Sequence, residues 1–226
     1  MPSPGGLGSA SRVWIDWLAE SQCSLWQVLP LHPPSAEGSP YDSPSAFAMD
    51  TRLIDDDEPE PTPEDIEAFA KKSPWLDDWA LFHAIRTHLS VRGWWDFPPE
   101  LRRRDPEAIA HWTEKLADQI HAERRDQCQV SQQWSAIKTY AEEAGVKIIG
   151  DLPIYVAPDS ADVWERPNLF QLDQDLCSFS HVAGVPPDYF NEDGQFWGNP
   201  LYDWDVHKEE KYDWWMKRLD SQLRFF

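Results

Sequence analysis

Cysteine, positive charge and long apolar runs are what this chain has least of. Its three cysteines, Cys23, Cys128 and Cys177, are odd in number and show no paired spacing. They give neither a disulfide framework nor a metal site, and they read as buried, reduced thiols of a cytoplasmic protein. Lys and Arg total 20 against 40 Asp and Glu, a formal net charge of −20. That balance argues against nucleic acid as a partner, because phosphate contacts need clustered cations, and it is equally wrong for an anionic membrane surface. A neutral ligand is indifferent to it. Self-repulsion of this size fits either a high-salt habitat or plain solubility. No stretch is long and apolar enough to read as a membrane span. The opening MPSPGGLGSASR lacks the basic start and apolar core of a signal peptide. Three consecutive acids, Asp55, Asp56 and Asp57, do not make a metal loop, since adjacent side chains point apart and no glycine turn follows. No cofactor is expected.

What is present reads in order as follows. Residues 11–21 place Val13, Trp14, Trp17 and Leu18 on one stripe of an amphipathic helix. Residues 23–31 are dense in apolar side chains and end at Pro30, as a strand does; a helix followed closely by a strand suggests a β/α repeat. The small residues and prolines of 38–48 make a rigid turn that presents Tyr41, which by itself reads as a surface turn. Residues 55–63 are an acidic, proline-rich solvated connector. Helices are expected over 64–72 and 75–90, with His83 and His88 in structural roles. Trp94, Trp95 and Phe97 read as packing residues more than as a surface sugar platform. From 105 to 144 the chain is mostly helical, with a bend expected near 127–133, and Arg102 to Arg104 and Arg124 to Arg125 read as solvated faces. Residues 207–226 form an amphipathic helix carrying Trp214, Trp215, Leu219 and Leu223.

The stretch that organises the chain runs from 146 to 205. Val146 to Ile149 follows a helical segment ending at Gly145, the pattern of a buried parallel strand after its crossover. Asp151 falls where that strand ends. Ligands of parallel α/β folds gather at carboxyl strand ends, so the acid reads either as functional or as a turn cap, with equal weight. Pro158, Asp159 and Ser160 mark a helix entry. Residues 182–204 then read as a long loop rich in Gly and Pro yet packed with aromatics and acids, the make-up of a binding loop. Flat rings with carboxylates suit a sugar cleft: rings stack on the apolar face of a pyranose, and Asp and Asn take its hydroxyls.

Three segments, GDLPIYVAPDSADVW, VAGVPPDYF and QFWGNPLYDWD, closely resemble the amylomaltases, the 4-α-glucanotransferases also called disproportionating enzymes. SPY followed by SAFA resembles the family segment whose tyrosine lines the subsite beside the cleaved bond. Asp42 stands where the family mostly has Gln, and Met49-Asp50-Thr51 replaces a more usual Gly-Asn-Pro. The resemblance implies an α/β fold, an incomplete (β/α)8 barrel with a largely helical inserted subdomain. Its parts would be 1–54 (barrel part with the substrate loop), 55–145 (insertion) and 146–226 (barrel strand, glucan-binding loop and terminal helix). It implies transfer of α-1,4-glucan segments between maltooligosaccharides by a retaining double displacement, and substrate contacts at Tyr41, Asp151, Asp188, Tyr189, Phe190, Trp197 and Asn199. Asp159 and Asp162 match too and are expected to support a helix start.

A retaining transfer needs two carboxyl groups flanking the bond, a nucleophile and an acid. The family nucleophile sits in an Asp-His-Phe-Arg-Gly motif that this chain does not contain, so no residue here is assigned as nucleophile or acid. The expectation is a truncated enzyme, inactive alone, with α-1,4-glucans as ligands and the other half of the barrel as a candidate partner. The alternative is a non-catalytic glucan-binding remnant of the same family; a hydrolase of the same clan ranks lower. Unpaired strand edges lead us to expect poor solubility or self-association.

Overall fold

The computed structural model describes residues 6–173, 179–189 and 191–226. It opens with helix α1 (Ser9–Glu20) and strand β1 (Leu25–Gln27), the expected helix-then-strand pair. Of the expected stripe only Leu18 turns inward. Ile15 and Leu18, three residues apart, are buried, whereas Val13, Trp14 and Trp17 are exposed and the two indoles stack on each other at 4.9 Å. The strand is also shorter than expected: one further backbone bond, Val28 N to Ile149 O at 2.9 Å, and the chain leaves the ladder toward Pro30.

Five helices follow: α2 (Pro63–Lys72), α3 (Leu76–Leu89), α4 (Pro99–Arg102), α5 (Pro106–Lys115) and α6 (Ala117–Glu143). Local chemistry starts two of them. Thr62 and Asp65 exchange side-chain and backbone bonds in a capping box ahead of α2, with Pro63 at its first position. Asp105 accepts from the amides of Glu107 and Ala108 to start α5. Where a bend was expected, near 127–133, the helix runs without interruption. The break falls at Leu116, and α6 continues for 27 residues.

The glutamines in that stretch do something else. Gln127 Oε1 accepts from Met49 N and its Nε2 donates to Met49 O, both at 2.9 Å. Gln133 does the same with Asp55 N and O, again at 2.9 Å. A primary amide side chain copies a peptide group here, and two such pairs strap the segment 49–55 along α6. Gln127→Leu is expected to leave the buried N–H and C=O of Met49 unpaired and to cost about 1–3 kcal/mol, read as a lower urea midpoint at unchanged slope.

Strand β2 (Lys147–Ile149) pairs with β1 in parallel, with Leu25 opposite Lys147, Trp26 opposite Ile148 and Gln27 opposite Ile149. Two sequence-distant strands joined through a helical crossover are therefore neighbours. The expectation of burial holds for Val146, 1% exposed, and fails for Ile149, 44% exposed. Successive side chains of a strand alternate faces. One face, with Trp26 and Ile148, packs on Leu18, Trp134 and Ile137; the other carries the exposed Leu25 and Ile149.

Beyond β2 come α7 (Ala161–Glu165), β3 (Val182–Val185), β4 (Gln195–Pro200), α8 (Trp204–Glu209) and α9 (Asp213–Phe225). The stretch 182–204 is thus not a bare loop. β3 and β4 pair antiparallel, with an irregularity between Val182 and Gly184, and Gly194 takes a φ of 72° just before β4. The terminal helix is two helices, because Lys211 and Tyr212 sit at φ 56° and 59° between α8 and α9. The inward face of α9 is Trp214, Arg218 and Gln222; Leu219 and Leu223 point outward.

Two apolar clusters result. In the first, Trp79, Phe82 and Ile85 of α3 pack with Trp94, Phe97, Trp164, Phe47, Phe170 and Tyr202. The second joins Ile15, Leu18, Met49, Val130, Trp134, Ile137 and Val146. Helix α6 belongs to both, through Ile120 in one and Trp134 in the other. Trp94 is buried, with its indole N–H on Pro158 O at 2.9 Å, so it packs as expected. Arg104 is not merely solvated: it pairs with Asp78 and lies 4.3 Å over the ring of Trp164. Cys128 is buried and Cys23 is exposed, which corrects the expectation for Cys23; Cys177 lies outside the described residues. Among the described residues no helix is long and apolar enough to cross a membrane.

Candidate functional site

Asp151 follows β2 by two residues. Between them Gly150 is held against the ring of Phe226; a Cβ there would come within 2.1 Å of it, so a larger residue would force that ring to move. Across 110 positions of sequence, the hydroxyl of Tyr41 donates to Asp151 Oδ2 at 2.7 Å. That bond to the carboxylate, the largest influence on the phenol, holds its pKa above the usual tyrosine range. Both groups remain open to solvent.

The loop that delivers Tyr41 is pinned from behind. Ser45 Oγ accepts from the amides of Phe47 and Ala48 at 3.1 and 3.0 Å, and Ala46 N donates to the buried Asp162 Oδ2 at 2.8 Å. Burial pushes the Asp162 carboxyl up, against the pull of that amide. Asp162, the acid in the first turn of α7, thus ties the loop to the helix start. The cap of α7 is Ser160, whose Oγ accepts from Val163 N at 3.3 Å. Asp159 instead faces Arg86 at 3.6 Å, and burial raises its carboxyl as well. On the far side of the loop the buried His32 bonds Ala48 O through Nδ1 at 2.8 Å and the Gln222 amide through Nε2 at 3.0 Å.

Asn199, in β4, is 8% exposed, and its Nδ2 donates to Asp42 Oδ1 at 3.1 Å and to Val156 O at 3.0 Å. It thereby joins the residue after Tyr41 to the segment after Asp151. Burial and the nearby Asp159 raise the Asp42 carboxyl, and the Asn199 amide opposes them. Two positions back, Trp197 is half exposed and meets Tyr155 edge-on at 6.2 Å. Asp188 lies beyond β3, where it takes the amide of Asn191 at 2.8 Å, and Tyr189 beside it is 96% exposed. Phe190 lies outside the described residues. So Tyr41, Asp151, Trp197 and Asn199 are tied to one another directly or through 155–156, while Asp188 and Tyr189 stand on the hairpin's connecting loop.

Sequence reasoning missed the group that holds the segment 153–155 in place. Arg218, 1% exposed, donates through Nη2 to Pro153 O at 2.6 Å and through Nη1 to the Tyr202 hydroxyl at 3.1 Å, with the rings of Trp214 and Trp215 each 5.2 Å from its guanidinium. Tyr202 in turn donates to Ile154 O at 3.0 Å. The available signal was Trp214, Arg218 and Gln222 at steps of four along α9, a stripe that mixes an arginine into an inward face.

The fold and this surface define an α/β protein with an acid, a tyrosine and open aromatic rings at the carboxyl end of a parallel strand. The family profile described as 4-alpha-glucanotransferase matches residues 1–62 and 56–226, and the chain belongs to that family. It is 37% identical to the 4-alpha-glucanotransferases of Aquifex aeolicus and Thermus thermophilus, in each case over 273 aligned positions that take in 100% of this chain and 55% or 54% of the relative. The amylomaltase from Streptococcus agalactiae in complex with acarbose superimposes with a TM-score of 0.92 at 33% identity, covering 98% of this chain and 54% of that one. The chain spans about half the length of the relatives it matches.

Proposed function

We propose that this chain forms the sugar-gripping part of a 4-α-glucanotransferase, which passes α-1,4-glucan segments between maltooligosaccharides by a retaining double displacement. The observation that carries the reading is the Tyr41–Asp151 bond at the end of β2, beside exposed aromatic rings. A carboxylate fixed by one donor keeps accepting capacity for a sugar hydroxyl, and the tyrosine offers a ring edge to the same sugar. Trp197, Asp188, Tyr189 and Phe190 are the proposed further contacts. Asn199 would act through its amide oxygen, since its nitrogen is spent on Asp42 and Val156. The complex of the Streptococcus agalactiae relative with acarbose supports a glucan-like ligand. Within this proposal the fold is part of a (β/α)8 barrel divided at 1–54, 55–145 and 146–226, the protein is cytoplasmic, and the nucleophile and acid come from sequence other than these residues.

Titration with maltooligosaccharides by calorimetry tests it. Saturable binding is expected, weakened at least tenfold by Asp151→Asn and by Tyr41→Phe, about 1.4 kcal/mol each. Incubation with maltotriose is expected to release no glucose from this chain alone. Absence of binding, or binding indifferent to Asp151→Asn, would remove the proposal.

A further inference from the structure

The two ends of a primary amide are told apart only by their partners, and at Asn199 the partners leave no choice. Nδ2 donates to Asp42 Oδ1 at 3.1 Å and to Val156 O at 3.0 Å. One is a carboxylate and the other a peptide carbonyl, and neither has a proton to give. Turned over, Oδ1 would stand against two acceptors. In the orientation adopted both N–H groups are used, nothing among the described residues donates to Oδ1, and that oxygen is not sealed from solvent. Of the two acceptors, Val156 O belongs to the backbone and is there whatever the side chains. With that carbonyl alone the amide could turn at the loss of one bond. Asp42 supplies the second.

Asp42 stands among the proposed contacts. It follows Tyr41, whose hydroxyl is on Asp151, and Val156 follows Tyr155, whose ring meets Trp197. Its loop is held without Asn199, by Ala157 N on Ser43 O at 3.2 Å and Ala161 N on Pro44 O at 2.9 Å. Burial raises the Asp42 carboxyl, with Asp159 and Glu37 adding to it and Asn199 and Arg92 opposing. Those neighbours have partners of their own, Arg86 facing Asp159 and Arg92 facing Glu37, each at 3.6 Å. We infer that Asp42 is a positioning residue of the glucan surface: it locks Asn199 with the amide oxygen toward solvent, so that a sugar hydroxyl meets an acceptor there and not a donor. The inference rests on the glucan reading and adds to it the residue that sets the polarity of Asn199.

Calorimetric titration of the full chain and its variants with maltoheptaose tests it. Asp42→Leu, close in size but with no acceptor, should weaken binding about tenfold. Asp42→Asn keeps an acceptor oxygen and should recover most of that loss. Asn199→Ala removes the locked group, and adding Asp42→Leu to it should weaken binding no further, because residues acting through one contact are not additive. A variant that merely misfolds would fail that comparison. One readout needs no sugar: the Asn199 side-chain amide signals in proton–nitrogen correlation spectra should move with pH in the parent and much less in Asp42→Asn. Suppose the parent binds maltoheptaose, so that the glucan reading stands. Asp42→Leu binding like the parent, Asp42→Asn as weak as Asp42→Leu, additive losses in the double variant, or Asn199 signals indifferent to Asp42 would then each overturn the inference alone. No binding by the parent would remove both.

Discussion

Arg218→Met is expected to destabilise the chain by about 3–5 kcal/mol, because two charge-assisted bonds, each worth about 1.5–3 kcal/mol, disappear together. The carbonyl of Pro153 and the hydroxyl of Tyr202 lose their donor inside the protein, and methionine fills the space without offering another. The loss is not confined to stability. Residues 153–155 link Asp151 to the Val156 carbonyl that holds Asn199, so a loosened segment should weaken glucan binding even under conditions where the variant is folded. Urea denaturation gives the first quantity, and titration with maltooligosaccharide below the midpoint gives the second. Arg218→Lys separates charge from geometry: it keeps the cation but cannot fork between two acceptors, and is expected to recover less than half of the stability lost in the methionine variant. A methionine variant within 1 kcal/mol of the parent, a threshold well below the bond-loss estimate of about 3 kcal/mol, would mean that the segment does not depend on Arg218.

The second large effect is in pH. His32 is buried, its Nε2 faces the Gln222 amide, and burial lowers its pKa from 6.5 to about 4. In the unfolded chain the ring takes up a proton near 6.5 and in the folded chain only near 4, so its contribution to stability is present above 6.5 and is lost as pH falls toward 4. Glu165 works in the opposite sense. Its folded pKa of about 7 lies above the ordinary 4.5, so the folded state binds the proton more tightly, and stability is lost as pH rises from 4.5 to 7. At roughly 1.4 kcal/mol per pKa unit each group shifts stability by about 3 kcal/mol over its window. Relative to the parent, Glu165→Gln should be about 3 kcal/mol more stable at pH 8 and equal to it at pH 4. His32→Gln should gain on the parent as the pH is lowered from 7 to 4. Urea midpoints at four pH values check both, and parallel profiles for parent and variants would contradict them.

These effects come from residues that do not advertise themselves in sequence. Local pattern placed Asp151 at the end of an apolar strand but left its role open, and Tyr41 by itself read as a surface turn until the family resemblance singled it out. That they touch is a tertiary fact which no local pattern contains. Periodicity identified α1 and α9 as amphipathic, but of the expected stripes only Leu18 in α1 and Trp214 in α9 are buried. In α1 the tryptophans look outward and the slimmer Ile15 and Leu18 look in. In α9 the polar Arg218 and Gln222 join Trp214 on the buried side because they satisfy carbonyls and His32. A stripe records that two faces differ, not which of them finds a partner. Gln127 and Gln133 were invisible for a similar reason, since glutamine on a helix reads as surface until the backbone it mimics is brought alongside. The hairpin of β3 and β4 was read as loop because glycines and prolines recur along it, while its ladder is formed by backbone groups.

Helix α6, at 27 residues and about 1.5 Å of rise per residue, is some 40 Å long. It spans both apolar clusters without a joint, and its two glutamine straps bind the segment that enters the helical region. Both clusters pack on the same rod. Heating should therefore give a single calorimetric endotherm whose van't Hoff and measured enthalpies agree, and amide exchange should be slowest together at Ile120 and at Trp134.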